Sequence, residues 1–339
     1  MISHLFVPGL LGPMQGLEHS QPPALPNLEA LLARADRLDE PEGYAGGLFA
    51  LFGIDTPTGA DLPTAAVSFL ADTGDAPAGF VLHADPLHLM PDRDHLLAFG
   101  LDDDPLDADE VSQLLETFNA HFAEDGVRLE GTAAGSLYLH CDSTPSIQTH
   151  PLSALIGRNI DRFLPEGNDR RRWHGLLNET QMLCYSLDFN RQREATGRPM
   201  VGGLWFSGGG VLPTLGRDQD RFAVARLVGD CSVARGLVAL GAAQSGAVPV
   251  VGDLVVEHAL ARAVTQAAPD AWLRALAELE GRMTALLRGG GELHVHPGNA
   301  VVYRWTARTA RRWWRRKRPF IRCLEARPGR AGVPGGKPA

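Results

Sequence analysis

Apolar positions recur along this chain with two periods, and the switching between them sets out its elements. The clearest 3.6-residue pattern follows Asp107, where Val111, Leu114, Leu115, Phe118 and Phe122 fall on one helical stripe. Asp107 with Glu110 three residues on predicts a capping box at its start, and Gly126 marks its end. Asn27 is positioned to cap a helix through about Arg37, with Leu28, Leu31, Leu32 and Ala35 on one face. Further helices are expected over Tyr44–Phe52, Leu62–Ala71, Cys231–Ala243 and Ala271–Leu287. The longest in the middle of the chain is Asn168–Leu187. Its apolar face is Leu176, Leu177, Thr180, Leu183, Cys184 and Leu187, and His174, Asn178, Gln181 and Tyr185 form a separate polar stripe.

Short β-prone runs lie between these helices. They are His4–Val7, Gly79–His83, His95–Phe99, Val127–Leu129, Ser136–Cys141 and Gly203–Phe206. Pro249–Val256 reads as a strand or an apolar helix start. Glu292–His296 and Ala300–Trp305 read as a closing hairpin through Pro297-Gly298-Asn299. Strands interleaved with helices predict an α/β fold. The strands that follow one another closely predict a mixed sheet flanked by helices.

Composition narrows this picture. At 339 residues, 44% apolar and 21% charged, the chain suits a globular body with a substantial core. The four cysteines, Cys141, Cys184, Cys231 and Cys323, have no CxxC spacing, so neither a zinc cluster nor a redox pair is indicated. The N-terminus lacks a basic region and is broken by Pro8, Gly9, Gly12 and Pro13, which makes it a poor signal peptide. No apolar run approaches the ~20 residues of a membrane span. A cytoplasmic location is the expectation.

Charge is uneven. Residues 304–339 hold 12 Lys or Arg and one acid, Glu325, whereas the whole chain carries −8. The expected organisation is therefore an acidic globular body over 1–303, with a weak internal boundary near 144–151, and a basic Arg/Trp-rich segment over 304–339 whose end is disordered. Trp305, Trp313 and Trp314 among arginines can stack on nucleic acid over residues 304–330, lie on an anionic membrane, or fold back on the acidic body.

Chemistry-bearing residues cluster in several places. His83–His95 contains three His and three Asp in thirteen residues. Read as a loop, it offers Asp85 and His88 as polar contacts. Read as a metal site, His83, Asp85, His88, Asp92 and Asp94 would hold Mn or Zn. Asn119 and His121 end the Asp107 helix. Asn178, Glu179 and Gln181 offer two amides and a carboxylate, with Asn190, Arg193 and Glu194 expected to continue the lining. After the strand carrying Trp205, the run Gly208–Gly210 offers bare backbone N–H groups to an anion. It matches neither GxGxxG nor GxxxxGK[ST], and Ser207 lies in no GxSxG elbow.

Five stretches carry a family resemblance. They are ADPLHL at Ala84–Leu89, NAHFAEDG at Asn119–Gly126, GRNIDRFLPEG at Gly157–Gly167, LLNETQML at Leu176–Leu183 and LWFSGGGVLP at Leu204–Pro213. On these the chain resembles a proteobacterial group labelled RpfE-type regulatory or cofactor-independent phosphoglycerate-mutase-like. The resemblance implies an alkaline-phosphatase-like layout and, from its mutase half, metal-dependent phosphoryl transfer. The stretch after the first strand, Val7–Gly12, contains no Asp to serve as an early metal ligand.

The leading expectation is a regulatory or ligand-sensing protein with a polar pocket for a phosphorylated small molecule. The pocket would form where the Gly208 turn, the Asp85–His88 loop and the Asn178/Glu179/Gln181 helix converge. Metal-dependent phosphoryl transfer and nucleic-acid binding through the basic segment are the alternatives.

Overall fold

A computed structural model describes residues 2–12, 14, 17, 23–41, 43–54, 61–93, 95–101, 103–214, 222–243, 250–266 and 268–324. In chain order the elements are β1 (Ile2–Phe6), α1 (Pro26–Arg34), β2 (Asp36–Asp39), α2 (Tyr44–Leu51), α3 (Thr64–Thr73), β3 (Phe80–Asp92), β4 (His95–Gly100) and α4 (Ala108–His121). Then follow β5 (Val127–Gly131), β6 (Leu137–Cys141), α5 (Leu152–Leu155), α6 (Arg170–Ser186), α7 (Asp188–Ala195) and β7 (Gly203–Gly210). The last are β8 (Phe222–Val228), α8 (Ser232–Ala243), β9 (Val250–Val256), α9 (Ala259–Thr265), α10 (Pro269–Arg288), β10 (Glu292–His296), β11 (Val301–Trp305) and α11 (Ala307–Ala310). The chain is α/β with a mixed sheet flanked by helices, as the pattern predicts. Among the described residues no helix is long and apolar enough to cross a membrane.

Two compact units are present. Unit 1 comprises Met1–Gly47, Val224–Asp230 and Val250–Ala339, and unit 2 comprises Leu48–Ala223 and Cys231–Pro249. The position 303/304 falls inside β11, and residues 144–151 fall inside unit 2.

Unit 1 holds a six-stranded sheet of order β2-β11-β10-β1-β9-β8. β1 runs parallel to β10 and to β9, while β11 runs antiparallel to both β10 and β2. Leu5, Leu293 and Val295 share a core with Leu28 and Leu31 of α1 and Trp272, Leu276 and Met283 of α10. Asn27 does not cap α1, because the helix begins one residue earlier, at Pro26. The buried Glu280 carboxylate instead accepts the N–H groups of Asn27 (2.7 Å) and Leu28 (2.9 Å). It thus places negative charge at the positive helix end.

Much of the basic segment is built into this unit. Trp305 is buried in the same core, and its Nε1 donates to Leu287 O at 3.3 Å. Arg304 and Arg312 both reach the Asp36 carboxylate, at 3.2 and 2.6 Å. Phe320 is buried against the same core.

The described strand pairs of unit 2 are all antiparallel: β4-β3-β6-β5, with β7 on the other edge of β3. Leu82 and Ala84 of β3 join a core with α4 and α6, and Val81 packs with Phe69 of α3 on the opposite face. The Asp107 capping box forms as read from sequence. Two strands differ from expectation. β3 does not stop at His83, because Leu87 and Leu89 continue its alternation: Leu87 is buried with Ala98 and Trp205, and Leu89 packs against them half-buried. The polar stretch expected as a loop is therefore half of a hairpin with β4. β7 likewise runs through the glycines to Gly210.

Candidate functional site

Unit 2 carries a groove of about 780 Å³ built from three stretches of chain. The hairpin contributes His88, Leu89, Pro91 and Leu96, and the segment before β7 contributes Met200, Val201 and Gly202. α6 contributes Asn178, Gln181, Met182 and Tyr185. These four follow i, i+3, i+4, i+7 spacing and so share one helical stripe. Trp173, Thr180, Leu183 and Cys184 of α6 are buried and anchor the helix.

Local geometry explains why the groove opens here. β7 pairs with β3 only as far as Leu87, opposite Gly203. Gly202 N–H donates to Leu87 O at 2.7 Å, which pins the preceding segment beside β3. A Cβ at Gly202 would stand 2.8 Å from Leu89 N, so only glycine permits this approach. His88 Nδ1 lies 2.9 Å from Met200 O. A carbonyl only accepts, so Nδ1 carries the hydrogen and Nε2 of the neutral ring is an acceptor. The groove thus joins that acceptor and two side-chain amides to a largely apolar wall. No Lys, Arg, Asp or Glu occurs among its described lining residues. Met182 and Tyr185 stand 74% and 76% exposed at its rim.

No family model matches the sequence, and no curated protein matches it. Two solved structures are similar to it along most of their length. The cofactor-independent phosphoglycerate mutase from Thermoplasma acidophilum DSM 1728 has a TM-score of 0.37 and 16% identity, over 90% of this chain and 89% of that one. The PH0037 protein from Pyrococcus horikoshii has a TM-score of 0.46 and 12% identity, over 91% of each chain.

Three of the residues expected to bind ligand, His88, Asn178 and Gln181, meet in the groove. Others have structural partners. Asp85 sits an odd number of residues from His88, so the pleat directs the two to opposite faces of β3. Glu179 pairs with His121 at 3.4 Å on the surface. Asn119 mimics a strand partner, accepting from Leu129 N at 2.7 Å and donating to its O at 2.9 Å. Asn190 is buried and clamps the groove's back wall, donating to Cys184 O and Val201 O and accepting from Val201 N. Trp205 is buried and donates to His150 O at 2.7 Å.

The glycine run does meet an anion, but one of the chain's own. Asp61 accepts from the backbone of Thr149 and of Gly209 and from the Thr149 hydroxyl. Gly208 N–H donates to Thr149 Oγ1 at 3.2 Å. Burial raises the Asp61 carboxyl, against these hydrogen bonds. Glycine is required by close packing: Gly208 has φ +63, and Cβ atoms at Gly209 and Gly210 would press on Phe80 and Pro63. The run is therefore neither a turn nor an open cradle.

The expected metal set is spread along β3. His83 and Asp85 share one face, and His88 and Asp92 share the other. The five-residue step from His83 to His88 spans about 16 Å of extended strand. Asp94 lies outside the described residues. Burial holds the His83 imidazole down at about 4, opposed by the charge of Asp72.

The sequence places the His88 segment in the pocket as a loop, not as a hairpin strand, and gives no sign of the Met200–Gly202 wall. The alternation of Leu87 and Leu89 with His88 and Met90 was the available signal for β3.

Proposed function

We propose that this protein is a ligand-sensing protein and that the unit 2 groove takes a small, uncharged, amphipathic molecule. One observation carries the reading: His88, Asn178 and Gln181 converge on a groove of about 780 Å³ whose remaining wall is mainly apolar. Such a site binds through apolar burial and uses a few polar groups to orient the ligand. The absence of Lys and Arg from the described lining, and the engagement of the Gly209 amide with Asp61 and of the Gly208 amide with Thr149, favour a neutral ligand over a phosphorylated one. The spread of His83, Asp85, His88 and Asp92 along β3 gives a phosphoryl-transfer metal centre on those residues no geometric support.

The neutral fluorophore Nile red tests the groove. The full chain should bind one equivalent saturably, and 10 mM inorganic phosphate, about the upper end of a useful competitor range for a millimolar site, should not displace it. The double substitution Met182→Ala/Tyr185→Ala removes exposed rim groups and should weaken binding about tenfold, equivalent to about 1.4 kcal/mol. Failure to saturate, or equal binding by the variant, refutes the assignment.

A second reading concerns the basic segment. Trp313 and Trp314 are 79% and 63% exposed, and Arg311, Arg315, Arg316 and Arg318 beside them are exposed as well. Exposed indoles among arginines suit single-stranded nucleic acid, which stacks on aromatic rings and releases counterions. Binding of an oligothymidine to the full chain should weaken steeply with salt. Trp313→Ala/Trp314→Ala should cost about 1–3 kcal/mol per stacked base. Unchanged binding in that variant removes the reading.

A further inference from the structure

Unit 1 contains a cluster of imidazoles that the groove does not use. The parallel register of β1 and β10 sets His4 directly beside His294 and Phe6 beside His296. The two-residue repeat of a strand puts His4, His294 and His296 on one face. One potential ligand atom from each lies within 4.8 Å of the others, the one such group of three among the described residues. His4 Nδ1 is 3.0 Å from His296 Nε2. Two nitrogens bound to one tetrahedral zinc at about 2.0–2.1 Å stand about 3.3 Å apart, so this pair already has ligand spacing. His294 is the partly exposed member, and its ring centroid stands 4.7 Å from that of His4.

The surroundings add an independent observation. His296 Nδ1 lies 2.7 Å from Glu40 Oε2, and His294 Nε2 lies 2.8 Å from Glu292 Oε1. A carboxylate behind a histidine fixes the tautomer that leaves the other nitrogen's lone pair for a metal. Phe6 stacks on the His296 ring at 4.0 Å, with the two planes 8° apart, and holds its orientation. The Glu40 side chain is only 6% exposed, and its Oε1 has no hydrogen-bond partner. A buried carboxylate with an unsatisfied oxygen is costly unless positive charge lies nearby. A divalent cation on the imidazoles supplies that charge.

We propose that His4, His294 and His296 bind one first-row transition-metal ion of the zinc type, with Glu40 and Glu292 orienting two of the rings. Three imidazoles select borderline ions such as Zn²⁺ and Co²⁺, whereas Mg²⁺ and Ca²⁺ prefer oxygen donors.

The test uses the untagged full chain, stripped with a chelator and dialysed against Zn²⁺, Co²⁺ or Mg²⁺. It should retain one equivalent of Zn²⁺ or Co²⁺ and no Mg²⁺, and the Co²⁺ form should show visible d–d absorption. His294→Ala should abolish retention while the metal-free melting curve stays unchanged. Glu40→Gln should keep the stoichiometry and weaken affinity about 10–100-fold. X-ray absorption on the unmodified Zn²⁺ protein provides a readout that needs no variant, and three imidazoles at about 2.0 Å are expected. No retained metal, equal retention in His294→Ala, or a coordination shell without three imidazoles would overturn the site.

Discussion

His83 shows how much a single position depends on what surrounds it. It is a polar residue in a strand, opposite Ser207 and 5.5 Å from the Tyr138 ring. Burial lowers its pKa from 6.5 to about 4, with Asp72 opposing that shift. The unfolded chain therefore takes up a proton near pH 6.5 that the folded chain refuses until about pH 4. The associated stability is complete above 6.5, declines as pH falls through this window, and is gone below about 4. From pH 7 to 4.5 the decline should be about 2–3 kcal/mol. His83→Gln should remove that part of the slope in denaturant titrations at the two pH values, and identical slopes would contradict it. From sequence, His83 was read with Asp85 and His88 as one polar cluster. The pleat separates what the sequence places side by side.

Among the elements, α7 is tied to α4 by a buried ion pair as well as by Phe189 in the core. Arg193 is fully buried and makes a two-pronged contact with Glu110 of α4, at 2.8 and 2.6 Å. It also donates to the carbonyls of Asp104, Pro105 and Pro199. Arg198 bonds Asp104 at 2.7 Å and reaches Glu110 at 3.3 Å. Removing one partner strands the other in a low-dielectric site, which typically costs about 3–5 kcal/mol. Arg193→Met should lose roughly that much stability by urea denaturation, and adding Glu110→Leu should restore part of it. A loss below about 1 kcal/mol in the single variant would show that the network is dispensable. The capping box of α4 was legible because its signal is four residues long. The Arg193–Glu110 pair was not, because 83 residues separate its partners. The same limit hid the Met200–Gly202 wall of the groove, whereas the meeting of α6's polar stripe with the His88 segment was expected from the sequence.

At the scale of the whole molecule, chain order and spatial order diverge. Unit 1 is assembled from three separate segments, and its N-terminal strand lies between β10 and β9. The basic segment is part of this unit, since Trp305, Thr309 and Phe320 are buried and Arg312 is bonded to Asp36. A chain ending before Arg304 would lose those buried groups together with the last two residues of β11. Its melting temperature should fall by several degrees at least, because a lost Trp or Phe alone typically costs about 3–5 kcal/mol. An unchanged melting curve would show the segment to be an appendage. This is why substitutions, not truncation, suit the nucleic-acid test.

The sequence by itself determined the α/β class, most helices and strands, and the polar stripe of α6. All of these follow from local periodicity and capping, which need only neighbouring residues. Tertiary structure alone decided two things. It placed Asp61 on the Gly209 amide and brought His4 beside His294 across 290 residues. Both depend on which segments meet, and a one-residue slip of β1 against β10 would turn His4 away from His294 without altering the local pattern.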